Sequence, residues 1–130
     1  MERASFKAYN LVPYESEEQA QVMEWAAWCP YHRDLKWLFH VPNGGERPGA
    51  VAKRLQLQGV KSGVSDLMLP LARGGYHGLW IELKRRDGGA VSRNQKEFIT
   101  DMIAAGYMAA VARGSEEAIR IITDYLEEKI

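Results

Sequence analysis

The stretch from Asp66 to Lys84 restricts the fold more than any other. It holds two short apolar runs, 66–71 (DLMLPL) and 78–84 (GLWIELK), with Gly74-Gly75 between them. Runs of this length bounded by glycine read as strands, and the glycine pair as a hairpin-like connection. The flanking chain alternates helical and strand patterns. A helix is expected over 15–28, with Glu15, Glu17 and Glu18 in its first turn, where the macrodipole favours acids, and Pro30 beyond its end. Residues 35–41 (LKWLFHV) read as a strand closed by the turn set Pro42-Asn43-Gly44-Gly45. Pro48 opens a second helix to about Leu57, with Gly59 as its stop. Ser92 and Gln95 form a capping box for a helix reaching about Ala105, stopped by Gly106. A strand over 107–112 and a last helix from Ser115 to about Leu126 complete the order αβαββαβα. This predicts an α/β fold, a mixed four-stranded sheet flanked by helices, in a single domain over 1–130 whose first 13 residues are a loose lead-in.

The chain has a net charge of zero, yet 12 Lys/Arg and 5 Asp/Glu fall between His32 and Lys96. The middle is therefore basic and the two ends acidic. A basic middle suits a polyanion such as nucleic acid. The apolar fraction of 46% and charged fraction of 26% exclude a disordered chain or a coiled coil. No run approaches the roughly 18 apolar residues of a membrane span, and the first ten residues lack the apolar core of a signal peptide. The one cysteine, Cys29, excludes an internal disulfide, so the expected location is cytoplasmic. Cys29 with scattered histidines falls short of a zinc-site spacing. Trp25, Trp28, Trp37 and Trp80 are candidates for base stacking, against a default role in the core.

The chemistry concentrates in Trp80-Ile81-Glu82-Leu83-Lys84. Side chains alternate across a strand, so Glu82 and Lys84 share one face, about 7 Å apart, and Ile81 and Leu83 the other. A carboxylate there can hold a hard divalent cation, and the lysine can orient a water. If the hairpin pairs, Asp66 lies on the strand beside Glu82, and the two carboxylates with a lysine make an oxygen-rich pocket for Mg²⁺ or Mn²⁺. Asn43 stands in a glycine-rich turn that permits close approach to a phosphate.

Asp66, a hairpin, then Glu82-x-Lys84 is the pattern of the PD-(D/E)XK nuclease superfamily. Four blocks, His40-Val41-Pro42-Asn43-Gly44-Gly45, Gly59–Asp66 (GVKSGVSD), Ile81-Glu82-Leu83-Lys84 and Ser92-x-x-Gln95, resemble the virus-type replication-repair nuclease (VRR-NUC) family. The resemblance runs from about Glu15 to Leu126. Stand-alone members are encoded largely by phages and prophages. Ser65 departs from the family pattern, which has proline before the aspartate; proline supplies no metal ligand.

The resemblance implies a metal-dependent endonuclease in which Asp66, Glu82 and the Leu83 carbonyl hold Mg²⁺ or Mn²⁺, Lys84 assists the attacking water, and Gln95 lies near the active site. It also implies an acidic ligand on the first helix. Glu15, Gln19, Val22 and Ala26 share a stripe, which points to Glu15; Glu18, close to that stripe, is the second choice. Lys53, Arg54, Lys61, Arg85, Arg86 and Arg93 are candidates for contacts to the DNA backbone. The family further implies a Holliday-junction-resolvase-like homodimer acting on branched or double-stranded DNA. A nuclease of flaps or nicked ends and a catalytically idle DNA-binding module of the same fold are the competing readings.

Overall fold

The structure is a computed structural model in which residues 12–42 and 48–130 are described. Asn43 and its glycine turn lie outside the described residues. Eight elements follow in order: α1 (Glu15–Trp28), β1 (Phe39–His40), α2 (Gly49–Leu57), β2 (Leu67–Leu69), β3 (Leu79–Lys84), α3 (Arg93–Ala104), β4 (Met108–Arg113) and α4 (Ser115–Leu126). The sheet order is β1-β2-β3-β4. The first three strands are antiparallel and β3 pairs parallel with β4, through α3. The α/β class, the mixed four-stranded sheet and the element order match the reading of the sequence.

Two elements differ from expectation in extent. The strand expected over 35–41 is only Phe39–His40. The Leu35 N–H donates to the Tyr31 carbonyl, that of Lys36 to Arg33 and that of Leu38 to Leu35, so these groups are spent in turns. Leu35 and Leu38 are both buried, a three-residue spacing that belongs to a turn and not to the two-residue period of a strand. β2 stops at Leu69 because Pro70 has no N–H for the ladder.

The core lies between the sheet and the α1/α4 layer. Val22 and Ala26 of α1, Ile81 and Leu83 of β3, and Ala118, Ile122 and Tyr125 of α4 are all buried in one cluster. Each large apolar side chain there contributes roughly 1.5–3 kcal/mol by leaving water. α3 covers the opposite face at β3, where Phe98 meets Trp80 edge-on at 4.9 Å between centroids. α2 buries none of its residues, and Leu57 at its end is 81% exposed. Among the described residues, no helix is long and apolar enough to cross a membrane.

A serine at the head of α4 suits an N-cap, which accepts from the first turn. Instead Gly114 holds the N-cap position and Ser115 is the first helical residue. Its N–H donates at 3.0 Å to Glu18, a carboxylate brought from α1. The cap is supplied by another helix, where the helix N-terminus favours an anion.

Candidate active site

The antiparallel register pairs Leu67 with Ile81 and Met68 with Trp80, which places Asp66 beside Glu82. Asp66 is fixed at both ends. Its carbonyl accepts from the Val41 N–H at 2.8 Å, and its Oδ2 accepts from the Leu83 N–H at 2.7 Å. The His40 ring also bonds that carbonyl, with Nδ1 2.9 Å away. A carbonyl can only accept, so Nδ1 carries the hydrogen.

Glu82 is 2% exposed and Lys84 7%. Lys84 Nζ stands 3.6 Å from Glu82 Oε2. Gln95 Nε2 donates to the same oxygen at 3.1 Å. Gln95 also accepts from the Ser92 N–H through Oε1 at 2.8 Å, while its own N–H donates to Ser92 Oγ at 3.1 Å. One side chain therefore completes the capping box and steadies Glu82. The other carboxylate oxygen, Oε1, is buried and has no hydrogen-bond partner among the described residues. Burial, and next the Asp66 charge and its hydrogen bond, push the Glu82 carboxyl up to about 8, with Lys84 opposing them. A carboxyl so placed holds a proton until a positive charge replaces it.

Glu15, Ser16, Gln19, His40, Pro42, Asp66 and Leu83 line a pocket of about 300 Å³ beside these carboxylates. The loop after β3 borders Glu15 as well. A Cβ built on Gly89 would stand 3.5 Å from Lys84 Cδ and 3.8 Å from Glu15 Oε2, and the φ of +82° at Gly89 also favours glycine. Arg113 holds that loop by donating to the Gly88 and Gly89 carbonyls at 2.6 and 3.0 Å. On the far side, Gly63 packs directly on α3, since a Cβ there would lie 2.5 Å from the Asn94 carbonyl oxygen. This contact ties the loop leading to Asp66 to the helix that carries Gln95.

The two candidate acids of α1 part company. Glu18, not Glu15, begins the inward stripe that continues through Val22 and Ala26. Its carboxylate is turned away from the pocket, accepting from Arg86 Nε at 2.7 Å and Nη2 at 3.1 Å and from the Ser115 N–H. The Arg86 guanidinium, aided by Ser115, holds the Glu18 carboxyl below its usual range in spite of burial. Glu15 sits at the exposed helix start and lines the pocket.

The basic candidates are dispersed. Lys53 and Arg54 are exposed on α2, Lys61 before β2 and Arg93 at the start of α3. Arg85 donates to the Val12 carbonyl at 3.2 Å and lies over the Tyr14 ring. Arg86 is engaged by Glu18. Of the tryptophans, Trp25 and Trp80 are half-buried, while Trp28 and Trp37 are each 68% exposed. His40 was singled out in the sequence only as part of a motif. Its place in the pocket depends on the pairing of β1 with β2, which the shortened strand made hard to read.

Among the described residues, no three His, Cys, Asp or Glu side chains are drawn together as a ready-made cation cage. The carboxylates at hand are hard oxygen donors: Asp66 and Glu15 line the pocket, Glu82 is cross-strand from Asp66, and among the described residues one buried Glu82 oxygen lacks a partner. That donor set fits a small divalent cation that keeps several of its waters.

The model of the VRR-NUC domain family matches residues 13–116. A solved structure described as a VRR_NUC domain protein is 32% identical to this chain, covers 88% of it and 89% of its own length, and superposes with a TM-score of 0.77. No curated protein matches the chain. The match spans α1 to the start of α4 and so includes every residue that meets around Glu82: the chain belongs to the VRR-NUC domain family, nucleases of the PD-(D/E)XK superfamily.

Proposed function

We propose that the protein is a Mg²⁺- or Mn²⁺-dependent endodeoxyribonuclease that cuts branched DNA as a Holliday-junction-resolvase-like homodimer. The observation that carries the cation-dependent chemistry is the buried Glu82, with Asp66 and Lys84 beside it and one oxygen without a partner among the described residues. Glu15, Asp66, Glu82 and the Leu83 carbonyl would hold the ion or ions. When bound, such a cation polarises the phosphate and makes a bound water acidic enough to attack it.

The chain's own residues do the rest. Gln95 fixes the Glu82 carboxylate against rotation through the bond to Oε2. The Leu83 N–H does the same for Asp66, so both acids are oriented before a substrate arrives. Lys84 orients the attacking water and offsets negative charge growing on the phosphate oxygens. Lys53, Arg54, Lys61 and Arg93 contact the DNA backbone, which gives affinity and little sequence choice. Arg85 and Arg86 are held by protein partners and make a smaller contribution. Two copies about a twofold axis would cut the two strands of a junction symmetrically.

The test is Mg²⁺-dependent cleavage of labelled four-way junctions, flaps and plain duplex, with Glu82→Ala in parallel. Paired, symmetric cuts in the junction that vanish in the variant are expected. Cutting confined to flaps would keep the chemistry and remove the junction reading. DNA binding without any metal-dependent cutting would leave a non-catalytic DNA-binding module.

A further inference from the structure

β3 and β4 run parallel, so their carboxyl ends emerge at the same edge of the sheet. Parallel α/β sheets bind ligands outside the carboxyl ends of their strands. Lys84 ends β3, Arg113 ends β4, and the register pairs the two. Paired residues project to one side of a sheet, so Arg113 shares the face of Glu82 and Lys84. The loop after β3 links them. A Cβ on Gly89 would touch Lys84 and Glu15, while the Gly88 and Gly89 carbonyls accept from Arg113 Nη1 at 2.6 and 3.0 Å.

Those two bonds use both hydrogens of Nη1. The hydrogens on Nε and Nη2, three of the five donors of a guanidinium, have no partner among the described residues. Nor, among those residues, does a carboxylate pair with this guanidinium, whereas Arg73, Arg85 and Arg86 each have one. The nearby Glu117 instead accepts from the Arg113 backbone N–H at 2.8 Å. Backbone carbonyls orient a guanidinium without cancelling its charge, and Arg113 is exposed. Arg86 shows what the remaining edge can hold: its Nε and Nη2 grip the two oxygens of Glu18 at 2.7 and 3.1 Å.

We infer that Arg113 grips a backbone phosphate of the nucleic-acid strand next to the scissile one, a reading that rests on the proposed nuclease function. The two free oxygens of a phosphodiester match the Nε/Nη2 edge as a carboxylate does. Because the loop carbonyls already orient the side chain, little of its freedom is lost on binding. Lys84 and Arg113 stand on strands about 4.8 Å apart, a spacing of the same order as the rise of about 3.4 Å between nucleotides of one strand. The two cations therefore suit neighbouring phosphates. Such a contact reads no base; it fixes the register of the strand on the site.

The experiment measures binding in EDTA, by fluorescence anisotropy over a salt series, of a labelled four-way junction and a blunt duplex. Arg113→Met removes the charge and the clasp on the loop. Arg113→Gln removes the charge and keeps a donor for the loop carbonyls. Arg120→Met, at an exposed arginine of α4, is the charge control. Circular dichroism checks the fold of each. Both Arg113 variants should lower the slope of log affinity on log salt by about 0.9, and weaken binding of both DNAs about eightfold near 0.1 M salt. Arg120→Met should leave the slope unchanged. A loss in Arg113→Met that Arg113→Gln restores would make the arginine a loop clasp only and overturn the contact. So would unchanged slopes in both, or an equal fall in Arg120→Met. A single methylphosphonate within about two nucleotides of the cut made in Mg²⁺ should weaken binding by the native protein and leave Arg113→Gln unaffected. Sensitivity of the variant at every position tested would again overturn it. A slope that depends on Arg113 without cleavage in Mg²⁺ would uphold the phosphate contact while sinking the nuclease reading. Cleavage with slopes independent of Arg113 would do the reverse.

Discussion

Glu18 and Glu82 are the same residue type, at 0% and 2% exposure, yet their surroundings drive them apart. Around Glu18, an arginine fork and the N-terminus of α4 supply positive charge and donors, and the carboxyl stays ionised. Around Glu82, burial and the Asp66 carboxylate outweigh Lys84, and the carboxyl rises to about 8. The first region is electrostatically complete. The second is short of positive charge, which a divalent cation would supply. Burial alone therefore does not distinguish a structural acid from a reactive one; the completeness of its partners does.

The largest expected effect separates the two in function. Glu82→Ala should reduce Mg²⁺-dependent cleavage by about a thousandfold or more, the scale of removing a cation ligand, while the melting curve stays cooperative. Glu18→Ala should leave the residual protein able to cleave wherever it remains folded. Equal activity losses in the two would erase the distinction.

The next effect is in pH. The cation-free folded protein keeps a proton on Glu82 between pH about 4.5 and 8, where the unfolded chain has lost its own. Stability from this group is complete below the unfolded value and is lost as pH rises from there through about 8. Glu18 runs the other way: its contribution is present above about 4.5 and is lost as pH falls through its depressed value. Thermal melts across pH should show an alkaline limb flattened by Glu82→Gln and an acid limb flattened by Glu18→Gln. Limbs unchanged by these substitutions would break the comparison.

A smaller effect is the destabilisation by Glu18→Ala, about 2 kcal/mol in urea unfolding. This is below the value for a fully buried pair because the Arg86 side chain is 42% exposed. The smallest is Gln95→Ala. Loss of the capping box should cost about 1 kcal/mol. Cleavage should fall more modestly than in Glu82→Ala, about tenfold, because the acid remains and only its orientation is loosened. A Gln95 variant as inactive as Glu82→Ala would make the glutamine a direct participant.

Much of this was legible in the sequence for identifiable reasons. Strand alternation placed Glu82 and Lys84 opposite Ile81 and Leu83, and the glycine-bounded hairpin placed Asp66 beside Glu82. The Ser92-x-x-Gln95 spacing gave both the helix start and a side chain able to reach the strand. The split between Glu15 and Glu18 was not legible. Helical periodicity puts the two near one stripe, and what separates them is Arg86 and Ser115, 68 and 97 residues further along. The reach of β1 was also hidden, since an apolar run of seven residues reads as a strand until the turn bonds of Leu35, Lys36 and Leu38 are seen.

The Glu18 anchor has a consequence for the order of events during synthesis. Glu15 is carried three residues ahead of Glu18, and the carboxylate that steadies that end of α1 needs the backbone of Ser115. A ribosome delivers α1 first and α4 last. While the final helix is still in the exit tunnel, the Asp66–Lys84 hairpin can already pair, but the helix that brings Glu15 to the pocket has no mooring at α4. The α1 end of the pocket is thus moored only once α4 has folded back on α1.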